Sequence, residues 1–188
     1  MTKNIMIVGV GGQGTLLASR IIGKTVIKEG YDVKISEVHG MSQRGGSVVT
    51  YVKFGDKVYS PIIDKGEADI ILAFEKLEAM RALPFLKKGG KMIVNNQEIN
   101  PMPVITGAAQ YPENITEKLA EKVDLTVVDA LRLAEEAGNF KSVNVVLIGV
   151  MAKNTEIAYE KWVEVIKETV PEKFLEANLK AFELGYNL

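Results

Sequence analysis

The sequence predicts an α/β fold of the Rossmann-like, three-layer type, with a mainly parallel β-sheet, a β-hairpin and C-terminal helices. Two observations predict it. Short apolar runs typical of buried strands alternate with segments of helical periodicity. Two glycine-rich stretches follow the first two runs, as loops do at the carboxyl edge of such a sheet. We expect residues 1–188 to form a single domain, which is long enough to bury a proper core.

The first strand, turn and helix form the clearest unit. Residues 5–10 are a short apolar run ended by glycines, which predicts a buried strand. Residues 15–29 predict a helix, and Gly30 just beyond them is a typical stop signal. The apolar residues of this helix recur at steps of three and four, so one face should lie on the sheet: Leu17, Ala18, Ile21, Ile22 and Val26.

The same signals predict the remaining elements. Further strands are predicted over residues 32–38, 47–54, 69–74, 91–94 and 125–128, and a short strand around 58–59 should pair with 47–54 as a hairpin. Helices are predicted over 75–83, 112–123, 131–137 and 143–153, followed by two amphipathic tail helices that Pro171 separates. The first two strands should be neighbours, so that both glycine-rich loops leave the same edge.

Composition excludes several classes of protein. The formal net charge of -1 gives no field that would attract nucleic acid. The absence of cysteine excludes disulfides, thiolate zinc sites and cysteine-ligated iron–sulfur clusters, and a single histidine excludes a histidine-rich metal site. No apolar stretch approaches the roughly 20 residues that span a bilayer, and the start lacks a signal-peptide pattern. We therefore expect a cytoplasmic protein without a membrane partner.

The first glycine-rich stretch fits a phosphate-binding turn. Gly9, Gly11 and Gly14 follow the pattern G-x-G-x-x-G between a strand and a helix, which makes this turn, with Gly12 and Gln13, a candidate anion or cofactor site. The alternative is that the glycines only allow a tight turn packed against a neighbour.

A free-standing oxidoreductase that binds NAD or FAD is one interpretation of this turn. Glu37 at the end of the second strand stands where such folds place the acid that binds ribose. Three features weaken this interpretation: a second glycine-rich loop follows at once, the doubled Gly11-Gly12 with Gln13 permits closer backbone approach than a pyrophosphate needs, and no set of catalytic groups is visible.

The second glycine-rich loop carries the more unusual chemistry. Arg44 is a planar cation suited to a carboxylate or phosphate, or to an ion pair with Glu37 or with a partner chain. Histidine is a common general base, but the sequence shows no nucleophile to go with His39, which favours a structural histidine over a catalytic base. We assign no catalytic residue. The residues expected at an interface or active-site border are Glu37, His39, Gly40, Met41, Ser42, Gln43, Arg44, Gly45 and Gly46.

These two loops together resemble a known family. The G-V-G-G-Q-G turn at residues 9–14 and the E-V-H-G-M-S-Q-R-G-G-S-V stretch at 37–48 are similar to the gamma-type subunits of the 2-oxoacid:ferredoxin oxidoreductases. Residues 58–61, 66–69 and 73–75, and 142–144 with Gly149, extend the similarity over essentially the whole chain. The second loop points to the aryl-pyruvate (indolepyruvate) branch.

The resemblance implies a role in a complex. In that family an arylpyruvate and coenzyme A give an aryl-acetyl-CoA, carbon dioxide and reduced ferredoxin. Thiamine diphosphate and the iron–sulfur clusters belong to a large catalytic subunit, so no cofactor is expected on this chain, which should be inactive alone. We expect the second loop to border the active site or coenzyme A channel of the large subunit, and the isolated chain to form a homodimer. The remaining alternative is a scaffold protein with no link to redox chemistry.

Overall fold

The computed structural model describes residues 2–39 and 45–188. Five residues of the predicted second loop, Gly40, Met41, Ser42, Gln43 and Arg44, lie outside the described residues. The predictions made for them therefore stay predictions.

A six-stranded sheet in the order β2-β3-β1-β4-β5-β6 forms the middle layer. Its strands are β1 (Lys3–Val10), β2 (Asp32–His39), β3 (Ser47–Gly55), β4 (Ala68–Ala73), β5 (Leu86–Asn95) and β6 (Asp124–Val128). The pairs β1–β4, β4–β5 and β5–β6 are parallel, whereas β3 is antiparallel to both of its neighbours. The predicted α/β fold with a mainly parallel sheet and a hairpin is confirmed.

Eight helices lie in the described ranges: α1 (Thr15–Lys28), α2 (Lys76–Ala82), α3 (Met102–Ile105), α4 (Ile115–Ala120), α5 (Ala130–Glu136), α6 (Val143–Ala152), α7 (Tyr159–Thr169) and α8 (Leu175–Tyr186). Short 3-10 turns precede α6 and α8 and follow α2. None of the helices in the described part of the chain has both the length and the apolar character needed to cross a membrane.

The hairpin is not the predicted one. β3 pairs with β2 along its whole length, and it also lies between β2 and β1. Residues 58–59 form no strand; Val58 is buried, and its N–H donates to the carboxylate of Asp32 at 2.9 Å. The expectation that β1 and β2 are neighbours was therefore also wrong. Apolar periodicity predicts that a strand is buried, but it does not say with which strand it pairs.

Helices cover both faces of the sheet because the side chains of its strands alternate between them. In β1, Ile5 and Ile7 point into a cluster built with α1, α5, α6, α7 and α8. Met6 and Val8 point to the opposite face, where they pack with residues of α2 and α4. Three layers result, with β1 and β4 at the centre and buried on both sides.

The C-terminal helices are held by an unusually close crossing of α6 and α8. A Cβ atom added to Gly185 would lie 2.1 Å from the carbonyl oxygen of Val146, and one added to Gly149 would lie 2.3 Å from that of Phe182. Such distances are well inside van der Waals contact, so the two backbones touch directly. The sequence predicted α6 as a buried helix, which is confirmed.

Candidate functional site

The first glycine turn has the predicted strand–turn–helix geometry. It leaves β1 after Val10 and enters α1 at Thr15. Gly12 and Gly14 have φ values of 101° and 82°, which side-chain-bearing residues rarely adopt. Gly14 is the N-cap of α1, and no side chain in residues 2–39 and 45–188 caps this helix. Within those residues, the first N–H groups of α1 lie at the rim of the turn without a side-chain cap.

Two glycines of this turn are required by packing within the chain. A Cβ on Gly9 would lie 2.9 Å from Oε1 of Gln13 and 3.0 Å from Cβ of Phe74. A Cβ on Gly14 would lie 2.7 Å from Nδ2 of Asn144, which donates a hydrogen bond to the Gly14 carbonyl at 3.3 Å. These positions agree with the alternative that the glycines allow a tightly packed turn.

Gln13 fills the crevice in which doubly wound folds bind their ligands. Connections run to opposite faces of the sheet from β1 and β4, so the crevice lies between the carboxyl ends of these two strands. The side-chain oxygen of Gln13 accepts from the N–H of Val10 at 2.7 Å, and its nitrogen donates to the Phe74 carbonyl at 2.9 Å and to Gln97 Oε1 at 3.1 Å. The hydrogen-bonding groups of this amide are therefore used within the chain, at the place where a doubly wound fold binds its ligand.

Glu75 lies beside this crevice and is a buried carboxylate that the sequence analysis did not identify. It is 1% exposed and caps α2 by accepting from the N–H of Glu78 at 2.9 Å. It also accepts from the N–H of Ile99 at 3.1 Å and from the Tyr111 hydroxyl. Burial, followed by this contact with Glu75, raises the pKa of the Tyr111 hydroxyl. The sequence signal that could have identified Glu75 is its position as a carboxylate directly after a buried strand.

The two glycine-rich loops meet through their backbones. The N–H of Gly11 donates to the carbonyl of Gly46 at 2.9 Å. Gly45, shortly before β3, has a φ of 76°, a backbone conformation that glycine adopts readily. The sequence prediction that both loops gather at one edge is confirmed for the described residues, although β3 rather than β2 adjoins β1.

A shallow groove of about 370 Å³ lies between the first turn and the end of the hairpin. Five of the predicted site residues line this groove: Gly11, Gly12, Gly14, Glu37 and His39. Gly9 and Gln13 instead face inward at the edge of the sheet. The groove is lined by Gly11, Gly12, Gly14, Thr15, Leu16, Glu37, His39 and Val48.

Among the described residues, the groove is lined by glycine backbone, by Thr15, Leu16 and Val48, and by the side chains of Glu37 and His39. The Glu37 carboxylate accepts from the Thr50 hydroxyl at 3.2 Å, on the neighbouring strand. Because β3 intervenes, Glu37 is two strand spacings, or roughly 10 Å, from β1, instead of the single spacing of a dinucleotide fold. His39 ends β2 opposite Val48. The uncapped end of α1, whose first turn carries no acidic residue, favours an anion at the rim.

A larger open cavity of about 700 Å³ lies at the opposite, amino edge of the parallel strands. Two pairs of its charged side chains already neutralise each other: Lys87 lies 3.1 Å from Asp69, and Lys91 lies 3.1 Å from Asp124. Ligands of open α/β sheets bind at the carboxyl edge. We therefore place the candidate site at the glycine turns.

The fold and this edge define a class: an α/β domain whose glycine turns, at the carboxyl edge of the sheet, pack against the chain's own residues. The particular family follows from comparison with known proteins. Residues 4–188 match the family described as pyruvate ferredoxin/flavodoxin oxidoreductase, and the chain belongs to this family. The resemblance found in the two glycine-rich loops is confirmed.

Relatives match over nearly their full length. The chain is 46% identical to a protein of Pyrococcus horikoshii named indolepyruvate oxidoreductase subunit IorB, over 97% of this chain and 93% of the relative. It is 45% identical to the protein of the same name from Thermococcus kodakarensis, with the same two coverages. A crystal structure of the gamma subunit of a keto/oxoacid ferredoxin oxidoreductase from Geobacter sulfurreducens superposes with a TM-score of 0.73 at 26% identity, covering 98% of this chain and 96% of that chain.

Proposed function

We propose that this chain is the small, non-catalytic subunit of an indolepyruvate ferredoxin oxidoreductase. The complex would convert an arylpyruvate and coenzyme A to an aryl-acetyl-CoA and carbon dioxide, with ferredoxin as the electron acceptor. Thiamine diphosphate and iron–sulfur clusters, bound on the large subunit, would supply the decarboxylation and electron transfer. The whole chain, residues 1–188, would act as one gamma-type domain in the cytoplasm.

The filled crevice at Gln13 carries this proposal on the structural side. The amide of Gln13 bonds across the crevice where a doubly wound fold would hold a dinucleotide, and the sequence has no cysteine for a cluster; both support redox chemistry on another subunit. Full-length relatives named as subunits of indolepyruvate oxidoreductases support the same conclusion. A small subunit contributes shape and contacts, for which bare glycine backbone is well suited.

The edge that carries the glycine turns is the part we propose to face the large subunit. The N-terminus of α1 opens on the groove, and Arg44 lies in the sequence between β2 and β3. Both favour a phosphate-bearing ligand, so we propose that they border the route of coenzyme A on the large subunit.

Substitution of Arg44 tests this placement in the reconstituted complex. We expect Arg44→Ala to raise the Michaelis constant for coenzyme A and to leave that for the oxoacid unchanged. Arg132→Ala, on the exposed face of α5, is the matched control and should change neither constant. If Arg44 only strengthens the interface, assembly will weaken while the assembled enzyme keeps its kinetics. Unchanged assembly and unchanged kinetics would remove Arg44 from the mechanism.

The isolated chain is proposed to pair with itself through the surface that the large subunit covers. Light scattering of the purified chain gives its mass. Addition of the large subunit should replace the homodimer by a mixed complex, because both would use the same surface. A monomer at all concentrations contradicts this part of the proposal without affecting the rest.

A further inference from the structure

The segment from residue 99 to residue 112, called the arm below, differs in composition from the rest of the chain. It carries no charged side chain, although 25% of all residues are charged. It connects β5 to α4 at the carboxyl edge of the sheet and contains the single turn of α3. Its side chains Met102 and Ile105 are each 65% exposed. Exposed apolar side chains without charges are typical of the centre of a protein–protein interface.

The arm is fastened at both ends to one buried group. Near its start, the N–H of Ile99 donates to Glu75 Oε1 at 3.1 Å, and at its end the Tyr111 hydroxyl donates to the same oxygen. The N–H of Leu77 in turn donates to the Tyr111 oxygen at 3.2 Å. The exposed apolar residues are therefore held on a fixed base, and little ordering is needed when a partner binds.

Hydrogen bonds within the arm fix its tip as well. The carbonyl of Pro101 accepts from the N–H of Val104 at 2.9 Å and from that of Ile105 at 3.1 Å. The Thr106 hydroxyl donates to the Met102 carbonyl at 3.0 Å. Met102 and Ile105 consequently project from one short turn, as a preformed apolar knob.

The arm is joined to the first glycine turn. Gln97, two residues before the arm, accepts from the side chain of Gln13 at 3.1 Å, and its carbonyl accepts from the N–H of Lys76 at 3.0 Å. The groove and the arm therefore belong to one continuous edge of the molecule. A partner that lay along this carboxyl edge would meet both features.

We propose that the arm is a docking element that inserts Met102 and Ile105 into an apolar depression on the large subunit. This inference rests on the proposed function, which supplies the partner. A second copy of this chain is a poorer occupant. Glu113 directly follows the arm, so two arms that met across a twofold axis would bring the Glu113 carboxylates of both copies together, whereas Glu98 before the arm is paired with Lys76 at 2.6 Å.

Binding of the large subunit to charged variants of the arm tests the inference. The variants Met102→Glu and Ile105→Glu should each raise the dissociation constant of the two subunits by about tenfold or more, as for the central residues of an interface. Both side chains are mostly exposed, so the melting temperature of the isolated variants should stay unchanged. Ile105→Ala provides a milder second variant, for which a loss of about fivefold is expected.

Ile27→Glu is the matched control. Ile27 is 56% exposed, but it lies in the last turn of α1, at the opposite edge of the sheet. The Ile27→Glu variant should bind the large subunit with a dissociation constant within about twofold of that of the wild type. If the wild type binds the large subunit and the arm variants bind equally well, the docking proposal is overturned while the proposed function stands. It is likewise overturned if they lose only self-association. If the wild type does not bind at all, both proposals fail.

Discussion

The side-chain nitrogen of Gln13 lies 2.9 Å from the carbonyl oxygen of Phe74, across the crevice between β1 and β4. Every hydrogen-bonding group of this amide is used, because its oxygen accepts from Val10 and its second N–H reaches Gln97. A residue of the glycine-rich turn thus joins three strand ends where other doubly wound folds hold a ligand. The turn has the pattern of a binding loop and the contacts of a structural one.

Gln13→Ala should destabilise the fold by about 1–3 kcal/mol, because it leaves the part-buried N–H of Val10 without an acceptor. The free energy of unfolding from urea denaturation measures this. Gln110→Ala removes an amide of the same kind from the exposed arm and should change stability by less than about 0.5 kcal/mol. Equal effects for both variants would mean that the crevice does not depend on Gln13.

Dinucleotides should not stabilise the isolated chain. A ligand that binds only the native state raises the melting temperature, and a dinucleotide in the turn would have to compete with the hydrogen bonds that Gln13 makes across the crevice. A thermal-shift measurement with each compound in large excess checks this. A concentration-dependent rise with NAD or FAD would favour the alternative of a free-standing oxidoreductase.

Tyr111 should make stability depend on pH in the alkaline range. Burial and the contact with Glu75 hold the pKa of its hydroxyl above the ordinary value of 10.0, so the folded chain keeps this proton where the unfolded chain loses it. The resulting stabilisation is complete below about pH 10 and declines as the pH rises further. Denaturation at about pH 9 and about pH 11 should show this decline in the wild type.

Tyr111→Phe should lack this alkaline component and should be less stable at neutral pH by about 1–2 kcal/mol, since Glu75 loses a donor. Tyr59→Phe is the control, because the Tyr59 side chain is 85% exposed and its substitution should alter neither quantity. Parallel pH profiles for the wild type and Tyr111→Phe would show that the Glu75 contact does not stabilise the arm.

Gly185→Ala should disrupt the crossing of α6 and α8. Alanine would gain about 1 kcal/mol from its helix propensity. Its Cβ would, however, lie 2.1 Å from the Val146 carbonyl oxygen, on backbone that cannot move alone. Steric overlap should dominate, with a net loss of about 3 kcal/mol or more in unfolding free energy. Lys180→Ala, on the exposed face of α8, is the control and should be nearly neutral. A stabilised Gly185→Ala variant would contradict the packing.

Local patterns predicted the elements well and their pairing poorly. The apolar residues of α1 and β1 mark the faces that are buried. Their spacing can be seen directly in the sequence, so both elements could be predicted. The place of β3 between β1 and β2 depends on contacts between distant residues. The close approach of the two helices at Gly149 and Gly185 also depends on contacts between distant residues. A glycine in the sequence does not indicate which residue will pack against it.

The candidate site was predicted in part for the same reason. Its location at the glycine turns could be predicted, since loops after parallel strands share one edge. The inward orientation of Gln13 could not, because its partners Phe74 and Gln97 are far away in sequence. Tyr111 was missed because nothing in its own segment marks it. Glu75 was missed although it follows a buried strand, because its partners Ile99 and Tyr111 are distant in sequence.

Reconstitution with the large catalytic subunit tests the central claim most directly. The measured quantity is the rate of ferredoxin reduction with indolepyruvate and coenzyme A, for each subunit alone and for the two combined. We predict a stable complex of both chains that reduces ferredoxin, and no turnover by this chain alone. Oxidation of the oxoacid by the isolated chain, or full activity of the large subunit without it, would contradict the account.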